Sequence, residues 1–136
     1  MPCLVDANVL IDIAVRDPNW LDWSRQAMAD HLDDGLIVNP IIFAEFSYRY
    51  EDPESAEYAL DIEAITRENL PWESAFIAGA AFRVYRARGG TRASTLPDFF
   101  IGAHALVCGY RILTRDPSGY RTYFPEVELI TPETSP

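Results

Sequence analysis

The chain has 136 residues and a formal net charge of −10, and it is 49% hydrophobic, 24% charged and 12% aromatic. At roughly 150 residues per domain this predicts one compact unit burying about 68% of its unfolded surface, too apolar for a disordered chain. It lacks the ~18-residue apolar run of a membrane-spanning helix, and all 11 basic residues are arginine, so a P-loop NTPase or a Schiff-base enzyme, each needing a lysine, is excluded.

Cys3-Leu4-Val5 predicts a short buried strand ending in Asp6-Ala7-Asn8, followed by a helix through Val9, Leu10, Ile11 and Ile13. Trp20, Trp23, Ala27, Met28 and Leu32 follow the rhythm of an amphipathic helix, and Gly35 precedes a compact strand, Leu36 to Val38. Pro40 opens a helix over Ile41 to Tyr48, with Glu45 set among apolar neighbours. Asp52-Pro53-Glu54 combines an N-cap, a proline at N1 and an early acid, and starts a helix running to Ala64.

A weak strand is predicted over Ile65 to Leu70. Pro71-Trp72-Glu73 opens a helix from Ser74 to Arg88 that Gly89-Gly90 stops, and Thr91 to Leu96 is loop. Pro97 to Val107 is apolar nearly all round, which predicts a buried helix closed by Gly109. Arg111 to Leu113 forms a strand leaving into Thr114-Arg115-Asp116-Pro117, and Val127 to Ile130 a last short strand. Strands alternating with helices give an α/β fold: one mostly parallel sheet of about five strands with helices on both faces, residues 1–132 forming a single domain and residues 133–136 a frayed tail.

Two scattered cysteines, Cys3 and Cys108, suit neither a zinc site nor a disulfide framework and are read as buried small hydrophobes. The N-terminus has no basic region before an apolar run, so a cytoplasmic location is expected. Trp20, Trp23, Trp72, Phe99 and Phe100 are assigned to core or interface, His104 to a hydrogen-bonded core position and His31 to solvent.

The charge is unevenly placed. Residues 30 to 73 hold twelve acids against Arg49 and Arg67, whereas Arg83 to Arg121 contains seven arginines and only Asp98 and Asp116 as acids. The second stretch could grip a polyanion, with Arg83, Arg86, Arg88, Arg92 and Arg115 as candidate phosphate contacts.

In open parallel sheets the site lies at the carboxyl ends of the strands. Asp6 follows the first strand, Asp116 the fourth; Asp98 begins the buried helix and Glu45 sits on an apolar one. Converging carboxylates repel one another unless a hard cation is shared, and oxygen ligands without histidine or thiolate favour Mg²⁺ or Mn²⁺, an ion that activates water and neutralises phosphoryl charge. Each acid also has a modest alternative: turn residues for Asp6 and Asp116, a capping box with Thr95 for Asp98, an i,i+4 pair with Arg49 for Glu45.

The segments Asp6-Ala7-Asn8-Val9-Leu10-Ile11-Asp12, Glu45, Leu96-Pro97-Asp98-Phe99-Phe100-Ile101-Gly102-Ala103-His104-Ala105 and Leu113-Thr114-Arg115-Asp116 together resemble a PIN-domain ribonuclease of the VapC toxin type, over Leu4 to Pro132. Tyr120 to Pro125 is similar to one branch of these toxins. The resemblance implies a three-layer α/β/α sandwich, Mg²⁺- or Mn²⁺-dependent endoribonuclease activity, a cognate VapB-type antitoxin, a homodimer, and no membrane partner. It implies that Asp6, Glu45, Asp98 and Asp116 are the catalytic acids, that Asp6, Asp98 and Asp116 ligate the metal, and that Asn8 and Thr114 support them. Many such proteins carry a further acid or asparagine where this chain has Gly119.

Haloacid-dehalogenase-like phosphatases and receiver domains also place an acid after the first strand, but they need a lysine that is absent here. The remaining alternative is a PIN-like module that binds RNA or protein without cutting.

Overall fold

A computed structural model of the chain describes residues 1–60, 64–91 and 96–136. Strands β1 (Cys3–Val5), β2 (Leu36–Val38), β3 (Ile65–Arg67), β4 (Arg111–Leu113) and β5 (Leu129–Ile130) form one all-parallel sheet in the order β3-β2-β1-β4-β5. β1 and β2 are buried at every position, as strands covered on both faces must be, and for that reason they read as unbroken apolar runs. Leu4 sets the central register, aligned with Ile37 on one side and Ile112 on the other.

Around the sheet lie α1 (Ala7–Ala14), α2 (Leu21–Asp30), α3 (Pro40–Ser47), α4 (Pro53–Ala59), α5 (Trp72–Ala87), α6 (Leu96–Cys108) and α7 (Ser118–Tyr123), completing an α/β/α sandwich. The chain steps outward from β1 through β2 to β3, then returns by α5 and α6 to lay β4 on the other side of β1. The winding therefore reverses between β1 and β4, and their carboxyl ends flank a crevice. Asp6 and Thr114 leave the sheet there, tied by the Asp6 amide donating to the Leu113 carbonyl at 2.9 Å.

Local chemistry fixes the helices that reach this crevice. Asp6 caps α1, its Oδ1 accepting from the Ala7 amide at 2.8 Å. Asn39 caps α3 through Oδ1 and the Ile42 amide at 2.9 Å, with Pro40 pre-set in the first turn. Helix α6 ends where Gly109 takes a φ of +71°, a conformation glycine adopts without penalty, and the Tyr110 amide closes onto the Ala105 carbonyl at 2.9 Å.

Several expectations need correction. Helix α4 stops at Ala59, with Leu60 as its C-cap, rather than at Ala64. Leu96 opens α6 instead of ending a loop, β3 is three residues long, and β5 contracts to Leu129–Ile130. Helix α7 has no counterpart in the sequence pattern; six residues including Gly119 are too few to show a helical period, and burial of Tyr120 and Phe124 orders it. Cys3 is buried as expected, but Cys108 is exposed. Trp72 is 92% exposed and belongs to no core. His31 is half-buried, with Nδ1 3.0 Å from an Asp34 carboxylate oxygen. At the C-terminal tail, the Trp23 indole donates to the Ser135 carbonyl at 2.7 Å, and Arg121 pairs with Glu133.

Candidate active site

One oxygen from each of Asp6, Glu45 and Asp98 lies within 4.8 Å of the others. These residues come from the end of β1, from α3 and from the first turn of α6, so only the folded chain unites them. Asp116, on the loop after β4, lines the same cavity, together with Asn8, Tyr48 and Arg49; the cavity has a volume of about 350 Å³.

The Asp6 side chain is the most firmly held. Its Oδ2 accepts from the Thr114 hydroxyl and the Tyr120 phenol, each at 2.9 Å. Asn8 Nδ2 is farther from that oxygen, at 3.4 Å, than from Thr114 Oγ1, at 3.1 Å. Thr114, fully buried, also accepts from the Asp116 amide at 3.0 Å, and Asn8 Oδ1 accepts from the Arg115 amide at 3.1 Å. Asn8 thus fastens the loop after β4 to α1 more than it orients Asp6.

Glu45 is held differently. Its Oε1 is buried without a hydrogen-bond partner among the described residues, an arrangement that costs free energy unless something else supplies the compensation. Arg49 does not supply it: that guanidinium lies 5.0 Å from the Tyr48 ring centroid and donates to the Tyr48 hydroxyl at 3.2 Å. The i,i+4 ion pair is therefore absent.

Burial, followed by the charges of Asp6 and Asp98, raises the Glu45 carboxyl to about 7. Burial, followed by the charges of Asp6 and Asp116, raises Asp98 to about 6. Asp6 is pushed up by burial against the opposing pull of its hydrogen bonds. Tyr120 stays a phenol, its acidity suppressed by burial and by the surrounding carboxylates. A group of oxygens that resists full ionisation, with one acceptor left unsatisfied, fits a hard divalent cation.

A second convergence, of Glu68, His104 and Cys108, reads differently. Asn39 gives its oxygen to the α3 cap, so its NH₂ faces His104 Nδ1 at 2.9 Å, and Nε2 then carries the proton directed at Glu68 Oε1, 3.1 Å away. Tyr110 donates to the same carboxylate at 2.9 Å. A metal on Nε2 would force a proton onto Nδ1 against the Asn39 amide, so this is a hydrogen-bonded strut. His104 is fully buried, as expected for a core histidine.

Arg115 forms an ion pair with Asp12 and is not free. Arg83 and Arg86 are exposed, with no carboxylate partner among the described residues; Arg88 lies 5.7 Å from the Tyr123 ring centroid. Arg92 and Thr95 fall outside the described residues.

The PIN domain profile matches residues 3–125. This chain belongs to the PIN domain family. Solved structures resemble this PIN domain over nearly its whole length. VapBC2 from Rickettsia felis, bound to a DNA fragment from its promoter, superposes with a TM-score of 0.75 at 16% identity, covering 96% of this chain and 98% of that one. DNA-bound VapBC from Salmonella typhimurium gives 0.71 at 16% identity, covering 96% and 98%. FitAcB from Neisseria gonorrhoeae gives 0.71 at 16% identity, covering 98% and 99%. No curated protein matches the chain. In this PIN domain the fold brings together the four acids, Asn8 and Thr114 that the sequence singles out, and it adds the Tyr120 contact and the placement of Tyr48 and Arg49 at the cavity, which the sequence does not signal. The Asn8 and Thr114 links join residues more than 100 positions apart.

Proposed function

We propose that this PIN domain is a Mg²⁺- or Mn²⁺-dependent endoribonuclease and the toxin partner of a VapB-type antitoxin. The observation carrying the reading is the unpartnered Glu45 Oε1, buried beside Asp6 and Asp98. Those three carboxylates would hold the ion, with Asp116 contributing at the cavity mouth. When bound, such an ion supplies water activation and neutralises charge developing on a phosphoryl oxygen.

The chain's own residues do the rest. Thr114 and Tyr120 fix the rotamer of Asp6, and Thr114 pins the Asp116 amide, so the acidic wall is set before substrate arrives. Arg49, the one cation among the described residues lining the cavity, offers its guanidinium to a phosphate next to the scissile one. Arg83, Arg86 and Arg88 would extend that grip along the backbone, with Arg92 a further candidate, while Arg115 is committed to Asp12. The acid-rich stretch from residue 30 to residue 73 suits a basic antitoxin, and a second copy of the chain completes the proposed assembly.

Incubation with single- and double-stranded RNAs, with and without Mn²⁺ or Mg²⁺, tests the reading. Cleavage should require the ion and disappear in Asp98→Asn and Glu45→Gln. RNA left intact under every condition would make the non-cutting binding module the better description.

A further inference from the structure

The phenol of Tyr120 has no solvent to serve: the residue is 2% exposed, and its hydroxyl lies 2.9 Å from Asp6 Oδ2. That oxygen also accepts the Thr114 hydroxyl at 2.9 Å, so both of its lone pairs are taken. Oδ1 accepts only the Ala7 amide, at 2.8 Å, and is the oxygen with acceptor capacity to spare.

We propose that Tyr120 is a positioning residue, holding the Asp6 carboxylate with Oδ2 saturated and Oδ1 left for a divalent cation; this rests on the metal-binding reading above. The sequence context supports it. Helix α7 is short and contains Gly119, yet it is ordered through Tyr120 and Phe124, so the element carrying the phenol is docked by its own buried face. Phenylalanine would fill that core position as well; what it lacks is the proton aimed at Asp6.

The test is Mn²⁺ binding to the full chain by calorimetry, comparing the parent, Tyr120→Phe and Tyr123→Phe. A positioning role predicts that Tyr120→Phe weakens Mn²⁺ binding by about ten-fold, as removal of an outer-shell partner does, while Tyr123→Phe binds as the parent does. Loss of thermal stability in Tyr120→Phe with unchanged Mn²⁺ affinity would reduce the residue to core packing and overturn the proposal. A parent that binds neither Mn²⁺ nor Mg²⁺ would instead remove the metal reading itself, and the proposal with it. Should Tyr120→Phe not fold, the parent labelled with ¹³Cζ-tyrosine answers the question. Mg²⁺ should shift the Tyr120 resonance and leave that of Tyr58, 84% exposed on α4, in place; an unmoved Tyr120 signal overturns the proposal.

Discussion

Arg115 grips the buried carboxylate of Asp12 through two hydrogen bonds of 2.8 Å, Nε to Oδ2 and Nη2 to Oδ1. The Ser24 hydroxyl closes on the same carboxylate at 2.8 Å, and the guanidinium lies 5.4 Å from the Trp20 ring centroid. One arginine therefore joins the loop after β4 to both α1 and α2. Because Asp12 is only 1% exposed, removing its partner leaves a buried charge served by a single hydroxyl. Arg115→Ala should cost about 3 kcal/mol of unfolding free energy in a urea titration. The double variant Asp12→Leu, Arg115→Met should recover most of it. A stability loss in Arg115→Ala below about 0.5 kcal/mol, the range of ordinary surface changes, would show that the pair does not hold the loop.

The acidic cavity should make the metal-free protein less stable at neutral pH than in mild acid. Glu45 and Asp98 bind protons more tightly folded than unfolded, since burial and mutual charge raise them to about 7 and about 6. Their favourable contribution is thus complete below their unfolded values, near 4, and is lost as pH rises through about 6 and 7. Mn²⁺ requires the ionised carboxylates, so the increase in melting temperature it confers should grow over the same interval. Melting curves of the parent and Glu45→Gln from pH 4.5 to 8 check both statements, the variant having the flatter metal-free profile. Superimposable profiles would mean that Glu45 does not titrate in this window.

How far the sequence discloses this site depends on what each residue type can signal. Asp6, Asp98 and Asp116 stand at strand and helix ends, where short-range patterns mark them, and Glu45 contrasts with the apolar residues around it. The parallel sheet is legible because its inner strands β1 and β2 are unbroken apolar runs between helices, whereas β3, Ile65-Thr66-Arg67, is only weakly marked. Tyr120 is not: an aromatic beside glycine in a six-residue helix looks like ordinary core filling, and its role depends on a contact with a residue 114 positions away. Arg115 shows the reverse case. A basic residue next to Asp116 suggests phosphate binding from the sequence, and nothing local signals the Asp12 ion pair that the fold gives it.

Two glycine-to-alanine changes should have opposite signs. A β-carbon on Gly102 in α6 would overlap the ring of Phe124, which is 2% exposed and has no open space to enter. Overpacking of this kind typically costs 1–3 kcal/mol, and here it would also separate α6, which carries Asp98, from the segment after α7. Gly79, midway along α5, lies on an exposed face, and a β-carbon there would meet nothing within 4 Å. Gly79→Ala should stabilise by about 0.5–1 kcal/mol through helix propensity. Chemical denaturation of the two variants decides it, and a neutral Gly102→Ala would show that the α6 and Phe124 surfaces are less tightly apposed than the structure places them.

Arg49 should contribute to RNA affinity in a way that salt reveals. It lies at the acidic cavity, exposed, and is held only by the Tyr48 ring and hydroxyl among the described residues. Each phosphate contact on single-stranded RNA releases counterions and adds about 0.7 to the slope of log affinity against log salt. In an Asp98→Asn background, where bound RNA should remain whole, Arg49→Ala should weaken binding several-fold at low salt and lower that slope by about 0.7. Arg115→Ala, whose guanidinium is occupied by Asp12, should leave the slope unchanged wherever the variant remains folded. Fluorescence anisotropy with a labelled oligoribonucleotide across a salt series measures both. A slope altered by Arg115→Ala and not by Arg49→Ala would exchange their roles and place the phosphate path on the other side of the cavity.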